Sequence, residues 1–194
     1  MSQKPISREE AVRLIEEAGL DSFVNIFGDK NVEGIDLSNL DLTGANLCET
    51  KMKRANLSKT ILIEANLFKA DLEGAILREA NLTRALLRNA NLSNSDLFGA
   101  DLTRAMMSGT DLSGANLIGA NLSEADLILA DLSGADLFVA DLREANLRSA
   151  DLSGANLGVT DLSDANLSRT IMPNGKVHPY VDWALDDLDS LFDE

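Results

Sequence analysis

A five-residue spacing of leucine constrains the fold of this chain more than any other feature. Every fifth position from Leu37 to Met172 is Leu or Met, which makes 28 consecutive positions without an insertion. Ala stands two residues earlier in 20 of these units, and Asp or Asn separates the two in 22. The repeating unit is therefore Ala-(Asp/Asn)-Leu-x-x, as in Ala115-Asn116-Leu117.

Neither standard element has a period of five. A helix would place each Leu about 140° round its axis from the last, and a strand would alternate faces because five is odd. The chain must therefore turn within each unit, and Gly at the last position of eight units predicts a turn with positive φ there. The run Asp-Leu-Ser-Gly-Ala recurs at 111–115, 131–135 and 151–155. This longer, 20-residue period predicts a coil of four units, with one unit on each of four sides.

The repeat closely resembles the pentapeptide-repeat family, whose fold is a right-handed, quadrilateral β-helix. The matching units span residues 35 to 172. The resemblance implies an all-β solenoid of about seven coils with short α-helical caps. Leu would lie at the centre and Ala on the inner wall, and the other three positions would face solvent. At a strand spacing of about 4.8 Å, the rod would be roughly 34 Å long.

The flanks predict a cap at each end, because bare ends would expose core and unpaired strand edges. Residues 1–34 form the predicted N-terminal cap and lead-in, in which Ser7-Arg8-Glu9-Glu10 is a capping box that opens a helix over residues 7–18. Residues 35–172 are the β-helix, and residues 173–194 are an acidic turn followed by an amphipathic helix. The apolar residues of this last segment are Val181, Trp183, Leu185, Leu188 and Phe192.

Three roles stay open for the C-terminal helix: a lid on the last coil, a dimer contact, or a docking peptide for a partner. From Val177 onward the segment has six acidic residues and no Lys or Arg. The preceding run from Met172 to His178, Met-Pro-Asn-Gly-Lys-Val-His, resembles the exit segment common in cyanobacterial members of the family.

Residues that could carry chemistry are sparse. Cys48 is the one cysteine, and it lies at an outward position with no His in the repeats to activate it. His178 is the one histidine and has no second ligand signature. Asp and Asn recur before nearly every Leu, as a structural repeat requires. We therefore expect no catalytic residue, no metal site and no cofactor.

The chain is acidic, with 17 Lys and Arg against 32 Asp and Glu and a net charge of −15. This charge argues against direct nucleic-acid binding. No apolar run approaches the roughly 20 residues that span a bilayer, and the first ten residues are too polar for a signal peptide. We therefore expect no membrane association and a cytoplasmic location.

The 20-residue period also predicts which outward residues share a surface. Aligned apolar residues on adjacent coils form contiguous patches of the kind that mark interfaces, although cross-strand packing is the alternative explanation. The first candidate surface, for a homodimer or another protein, contains Phe98, Ile118, Phe138, Val139 and Val159. A second apolar face on the opposite side contains Phe68, Leu86, Met106, Ile128 and Leu129.

Acidic residues are aligned by the same period. Asp111, Asp131 and Asp151 fall in one column, which could hold a cation or present an acidic strip to a basic partner. Charge is also uneven along the rod, since residues 51–88 carry a balance of +4 and residues 91–167 a balance of −9. The rod is thus predicted to be basic toward its N-terminal part and acidic beyond.

Two functions fit these patterns. The first is a non-catalytic scaffold whose flat faces dock a protein partner. The alternative is a DNA mimic that occupies the DNA-binding surface of a type II topoisomerase, as the resemblance to the quinolone-resistance members of the family implies. Acidity and rod shape favour the mimic. An uninterrupted, Leu-centred frame with one basic half favours the scaffold.

Overall fold

A computed structural model describes residues 5–18, 25–28 and 30–178. From Asp36 to Ile171 the chain is a right-handed, four-sided β-helix. Parallel β-bridges join equivalent residues of successive coils, beginning with Asp36 to Asn56 and ending with Asp151 to Ile171. Each side of a coil contributes one bridge residue, the residue just before the central Leu. The predicted four-sided solenoid with one unit on each side is confirmed.

Backbone hydrogen bonds tie each coil to both of its neighbours. The N–H of a central Leu donates to the carbonyl of the bridge residue on the next coil, as from Leu117 to Asp136 at 2.7 Å. The N–H of a bridge residue donates to the inner-wall carbonyl of the preceding coil, as from Asn116 to Ser95 at 2.9 Å. Because every side repeats both bonds, the coils support one another and no unit could fold alone.

The centre of the rod is filled by the repeated Leu and Met side chains, and Ala lines its inner wall. Leu127, midway along, is fully buried. Where Thr replaces Ala, its hydroxyl finds a backbone acceptor: Thr60, Thr110 and Thr170 donate to carbonyls 23 residues earlier at 3.0, 2.7 and 2.7 Å. The inner wall therefore tolerates these hydroxyls without leaving a buried donor unsatisfied.

The corners of the coil impose positive φ on whatever residue occupies the last position of a unit. From Asn39 to Arg169, every such position except Val159 has positive φ. The prediction for Gly is confirmed, and charged and branched residues adopt the same conformation. Outside Gly and Asn this conformation costs roughly 1 kcal/mol, so the coil geometry overrides local preference.

The repeated Asp and Asn side chains brace these corners. In most units Oδ1 accepts a hydrogen bond from the backbone N–H two residues later, as from Ser113 to Asp111 at 2.9 Å and from Thr83 to Asn81 at 3.0 Å. A Ser or Thr at that position adds its hydroxyl, 2.6 Å from Oδ1 in both examples. The bond needs only one acceptor oxygen, so Asp and Asn serve equally well.

Helix α1 (Arg8–Ala18) precedes the β-helix. It begins one residue later than predicted because Ser7 is its N-cap, with Oγ accepting from the Glu10 N–H at 3.1 Å. Ala11 is fully buried. The Arg8 guanidinium donates to the carbonyls of Asp36 and Ser38 at 2.8 and 2.9 Å, which ties α1 to the first coil.

The lead-in adds one contact that lies outside the 20-residue register. Asn25 bridges to Asn46, one position out of step with the later bridges, and its side-chain oxygen accepts from the N–H groups of Phe27 and Gly28 at 3.0 Å each. Phe27 is almost fully buried. An aromatic side chain thus enters the core beside the first coil, where the Leu repeat has not yet begun.

The far end of the rod is less covered than its middle. Leu157, Leu162 and Leu167 are 5–8% exposed, whereas the central Leu of most earlier coils is at 0%. Ile171 pairs with Val177 in an antiparallel bridge that ends the solenoid. The predicted C-terminal helix, with Val181, Trp183, Leu185, Leu188 and Phe192, lies outside the described residues.

Candidate interaction faces

One side of the β-helix carries a column of large apolar residues. Because Asp96 bridges to Asn116 and Asn116 to Asp136, the side chains two residues further along stack on successive coils. Phe98 and Phe138 are 38% and 43% exposed, so neither side chain belongs to the core. We call this side the Phe98 face, defined by Phe98, Ile118, Phe138, Val139 and Val159.

The side chains at the corner beside this column change in size along the rod. Its last-position residues run Gly99, Gly119, Val139 and Val159 on successive coils. A Cβ built on Gly119 would meet nothing within 4 Å, so the space above this glycine is open. Val139 and Val159 stand 52% and 68% exposed. The corner is therefore a trough over two coils and a ridge over the next two.

Arg78 lies at the N-terminal edge of the Phe98 face. Its guanidinium carbon is 4.6 Å from the centroid of the Phe98 ring, and its Nη1 lies 2.9 Å from Oδ2 of Asp96. Ile76, on the same side, is 40% exposed. The apolar column is thus continued by Ile76 and bounded by a cation held against an aromatic ring.

Val139 has a backbone conformation that branched residues avoid. Its φ is 59°, in the left-handed region where a β-branched side chain is strained. Gly occupies the same column on the two preceding coils, so the fold does not require Val here. The backbone conformation at this corner therefore does not explain why Val is present.

The corner at Gly158 and Val159 is built differently from the others. Gly158 has φ of 37°, and Val159 lacks the positive φ of the other last-position residues in its column. The N–H of each last-position residue from Gly34 to Gly154 donates to a carbonyl on the next coil, except that of Val139. By the pattern of the other coils, the N–H of Val139 would donate to the Gly158 carbonyl, and this hydrogen bond is missing. Positive φ at the first corner residue indicates a reversed turn, in which this carbonyl points away from Val139.

The opposite side carries the second predicted surface, which we call the Leu129 face. Its residues are Phe68, Leu86, Met106, Ile128 and Leu129. Leu86 bridges to Met106, and Leu129 is 67% exposed with φ of 59°. The Lys69 ammonium lies 5.1 Å from the Phe68 ring centroid. This face is more interrupted by charge than the Phe98 face, since Arg88 and Arg148 lie in its column.

The acidic ladder, Asp111, Asp131 and Asp151, lies on a third side. Bridges join Asp111 to Asp131 and Asp131 to Asp151, so the three carboxylates lie on successive coils. Each accepts from the N–H of the Ser two residues later at 2.8–2.9 Å. Within the described ranges, no group of three or more His, Cys, Asp and Glu side chains could hold a metal ion.

Ion pairs between adjacent coils neutralise much of the predicted basic region. Lys53 lies 2.5 Å from Glu73, and Arg84 lies 3.4 Å from Glu64, and each pair joins equivalent positions on neighbouring coils. The hydrogen bond from Lys53 lowers the pKa of Glu73 below its ordinary value. Five of the eight bases of residues 51–88, Lys53, Lys59, Lys69, Arg78 and Arg84, are thus paired with acids on a neighbouring coil.

Cys48 is partly buried in the first coils. Burial is the main cause of a raised pKa for its thiol, with the nearby Glu49 carboxylate adding to it. A raised pKa reduces the thiolate population, so this environment does not activate a nucleophile. No helix in the part of the chain that the structure describes is long and apolar enough to cross a membrane.

The family is decided by the match of the repeats to a known sequence model. The model described as Pentapeptide repeats (8 copies) matches residues 33–67, 65–104, 105–138 and 140–174. The chain belongs to the pentapeptide-repeat family. No curated protein matches it.

Several solved pentapeptide-repeat proteins are similar to this chain. HetL, involved in heterocyst differentiation regulation in the cyanobacterium Nostoc, is 29% identical; the match covers 89% of this chain and 100% of HetL, with a TM-score of 0.47. Rfr23 from the cyanobacterium Cyanothece is 30% identical, with 72% and 88% covered and a TM-score of 0.24. QnrB1, a plasmid-mediated fluoroquinolone resistance protein, is 23% identical, with 73% and 81% covered and a TM-score of 0.41.

Within this pentapeptide-repeat fold, the predicted columns lie where the period places them. Sequence reasoning missed Arg78 over the Phe98 ring, and it missed Ile76 as part of the same side. Counting back one coil from Asp96 and Phe98 would have found both. It also missed the altered corner at Gly158, because Gly is common elsewhere in the repeats and nothing in its local sequence indicates a reversed turn.

Proposed function

We propose that this pentapeptide-repeat protein is a non-catalytic, cytoplasmic scaffold that binds a protein partner through its flat β-helix faces. The Phe98 face is the main contact surface. The observation that carries the proposal is Val139, which is exposed and is the one β-branched residue held at positive φ among the described corners. A residue that costs stability and fills no core position is best explained by a contact with another molecule.

The chemistry of the face supports a protein partner. Two aromatic rings, an Ile and two Val side chains line about four coils, and such contiguous apolar surface typically marks protein interfaces. The Arg78 guanidinium lies over the Phe98 ring, and the Phe138 ring packs against Gly158 of the next coil, so both rings are already held in place. Rigid aromatic side chains lose little conformational entropy on binding, so they suit the centre of an interface.

Affinity capture tests the proposal. Tagged wild-type protein and the Phe98→Glu/Phe138→Glu variant would be compared by mass-spectrometric identification of retained proteins. The expected result is that the variant loses partners that the wild type retains, while its far-ultraviolet circular dichroism stays that of a β-helix. Leu129→Glu is the matched control, because it adds a charge at an exposed position on the opposite side.

The proposal is contradicted if both proteins retain the same partners. It is also contradicted if the Phe98→Glu/Phe138→Glu variant loses its folded spectrum and Leu129→Glu does not, because Phe98 and Phe138 would then serve cross-strand packing. Loss of binding in Leu129→Glu alone would move the contact surface to the Leu129 face.

The second candidate function is mimicry of DNA toward a type II topoisomerase. The observation in its favour is the acidic ladder, whose carboxylates recur at about the 4.8 Å spacing of adjacent strands. Charge on one DNA strand recurs about every 3.4 Å, which is the same order. A DNA gyrase supercoiling assay tests it: inhibition or drug protection at micromolar protein, lost in Asp111→Asn/Asp131→Asn/Asp151→Asn, would favour the mimic over the scaffold.

A further inference from the structure

We propose that the Phe98 face binds a second copy of this chain, with the two rods antiparallel and the two-fold axis between the coils of Ile118 and Phe138. This inference rests on the proposed function, because it requires that the apolar face be a contact surface. It adds the identity of the occupant and the register of the contact.

The corner column of the Phe98 face is complementary to itself in this arrangement. A two-fold axis parallel to the strands keeps each column opposite the same column and reverses the order of the coils. Gly119 then lies opposite Val139 of the second copy, and Gly99 lies opposite its Val159. Each ridge meets a trough, and the open space above Gly119 receives the exposed Val139 side chain.

The bridge column is complementary in the same register. Its residues alternate as Asp96, Asn116, Asp136 and Asn156 on the same four coils. Asp96 lies opposite Asn156 of the second copy, and Asn116 lies opposite its Asp136. Every carboxylate faces an amide and no carboxylate faces another, so the contact avoids like-charge repulsion.

Hydrogen-bonding capacity is left for these amide and carboxylate groups. Within one copy, Asn116 Nδ2 donates to Asp96 Oδ1 at 3.0 Å, which uses one of its two amide hydrogens. Asp136 Oδ1 accepts from the Phe138 N–H and from Asn156, so its bonds within the chain use one oxygen. The second hydrogen of Asn116 and Oδ2 of Asp136 are the groups that meet across the axis.

Neighbouring registers lack this complementarity. Shifting the axis by half a coil toward the N-terminus places Asp96 opposite Asp136, and the same shift toward the C-terminus places Val139 opposite Val139. Shifting it by a whole coil toward the N-terminus sets the Glu79 side chain against Val139. The match of size and charge therefore selects one register of the antiparallel pair.

The expected dimer is weak and strengthened by salt. The matched stretch covers four coils, about 19 Å of the rod, which puts the contact at the small end of specific interfaces. Each copy carries a net charge of −15, and the resulting repulsion is screened by added salt. The dissociation constant should therefore fall as NaCl is raised from about 0.05 to 0.5 M.

Sedimentation equilibrium of the full chain tests the register. Gly119→Val fills the trough opposite Val139 and should raise the dimer dissociation constant at least about tenfold. Gly119→Val/Val139→Gly exchanges ridge and trough and should restore dissociation to within about threefold of wild type. Gly44→Val is the control: it has the same positive φ and equally open surroundings but lies at a corner that borders the Leu129 face and not the Phe98 face. It should dimerise like wild type.

A second pair of variants covers the case in which Gly119→Val does not fold. Asn116→Asp places a carboxylate opposite Asp136 and should weaken the dimer, and Asn116→Asp/Asp136→Asn should restore it. Circular dichroism and melting temperature are recorded for each variant. Matched melting with the expected association pattern supports the register.

Three results would overturn the inference: a wild-type monomer at about 500 µM in 0.5 M NaCl, a Gly119→Val variant that dimerises like wild type, or exchange variants that fold and stay as weak as their single parents. If the protein is monomeric and Phe98→Glu/Phe138→Glu still loses a captured partner, the scaffold proposal stands and the second copy is wrong. If the protein neither dimerises nor captures a partner through the Phe98 face, both the scaffold proposal and the dimer are wrong.

Discussion

The Phe138 ring lies directly over Gly158 on the next coil. A Cβ built on Gly158 would come 2.9 Å from Cε2 of that ring and closer still to Cδ2, so the ring occupies the space that any side chain would need. This contact explains why glycine interrupts the column that carries Phe98, Ile118 and Phe138. It also coincides with the reversed turn that removes one hydrogen bond between the two coils.

Gly158→Ala should therefore destabilise the protein. The added methyl group must displace the Phe138 ring, and overpacking of this kind costs about 1–3 kcal/mol. Gly134→Ala is the matched control, since a Cβ there meets nothing within 4 Å and only the positive φ opposes it. Urea unfolding should show a clearly larger loss for Gly158→Ala. Equal losses would show that the ring moves aside without cost.

Val139→Asn should stabilise the fold and weaken association. Asn tolerates positive φ, so the substitution removes strain of roughly 1 kcal/mol while removing an exposed apolar side chain. Thermal unfolding should show an unchanged or higher melting temperature, and sedimentation should show weaker self-association. A lower melting temperature would mean that Val139 packs on its neighbours and is retained for stability.

Leu127→Asp should be severely destabilising because the side chain is fully buried at the centre of the rod. An unpaired buried carboxylate costs several kcal/mol, which is comparable with the whole stability of a small domain. Leu129→Asp, two residues away and 67% exposed, should change stability by no more than about 0.5 kcal/mol. Soluble, fully folded Leu127→Asp protein would contradict the inward orientation of Leu127.

The corner carboxylates should make stability fall in acid. Hydrogen bonds from the Thr43 hydroxyl and N–H lower the pKa of Asp41 from its ordinary value of 3.8, and Ser163 does the same for Asp161. The unfolded chain then binds more protons near and below pH 4, so this contribution is complete above about pH 4. It is lost as the pH falls through the lowered folded-state pKa values.

Asp41→Asn/Asp161→Asn tests this linkage. The amide oxygen can accept the same two bonds, as Asn81 does from Thr83 in the same column at 3.0 and 2.6 Å. Stability at pH 7 should stay close to that of the wild type, and the decline as the pH falls below about 4 should be shallower than in the wild type. An unchanged acid slope would assign acid sensitivity to other carboxylates.

Most of the fold could be predicted from the sequence because one spacing determines it. The Leu period fixes the core, and the 20-residue recurrence aligns Phe98 with Ile118 and Asp111 with Asp131. Such alignment requires no knowledge of side-chain packing. Position along the chain is enough once the coil length is known.

The local exceptions could not be predicted because they depend on contacts between coils. Val139 adopts positive φ against its own preference since the coils on either side dictate the corner. Val159, in the same column, escapes that conformation because Gly158 takes the positive φ. The sequence alone does not distinguish these two valines, and it does not reveal that Phe138 covers Gly158.

Site-specific photo-cross-linking in cells tests the contact surface most directly. A benzophenone amino acid replaces Ile118 at the centre of the Phe98 face or, as the control, Ser123 at a corner that does not border this face. Protein adducts are expected from position 118, including adducts with a second copy of the chain, and far fewer from position 123. No adduct from position 118, or the same adducts from both positions, would contradict the claim that the Phe98 face is where this protein binds.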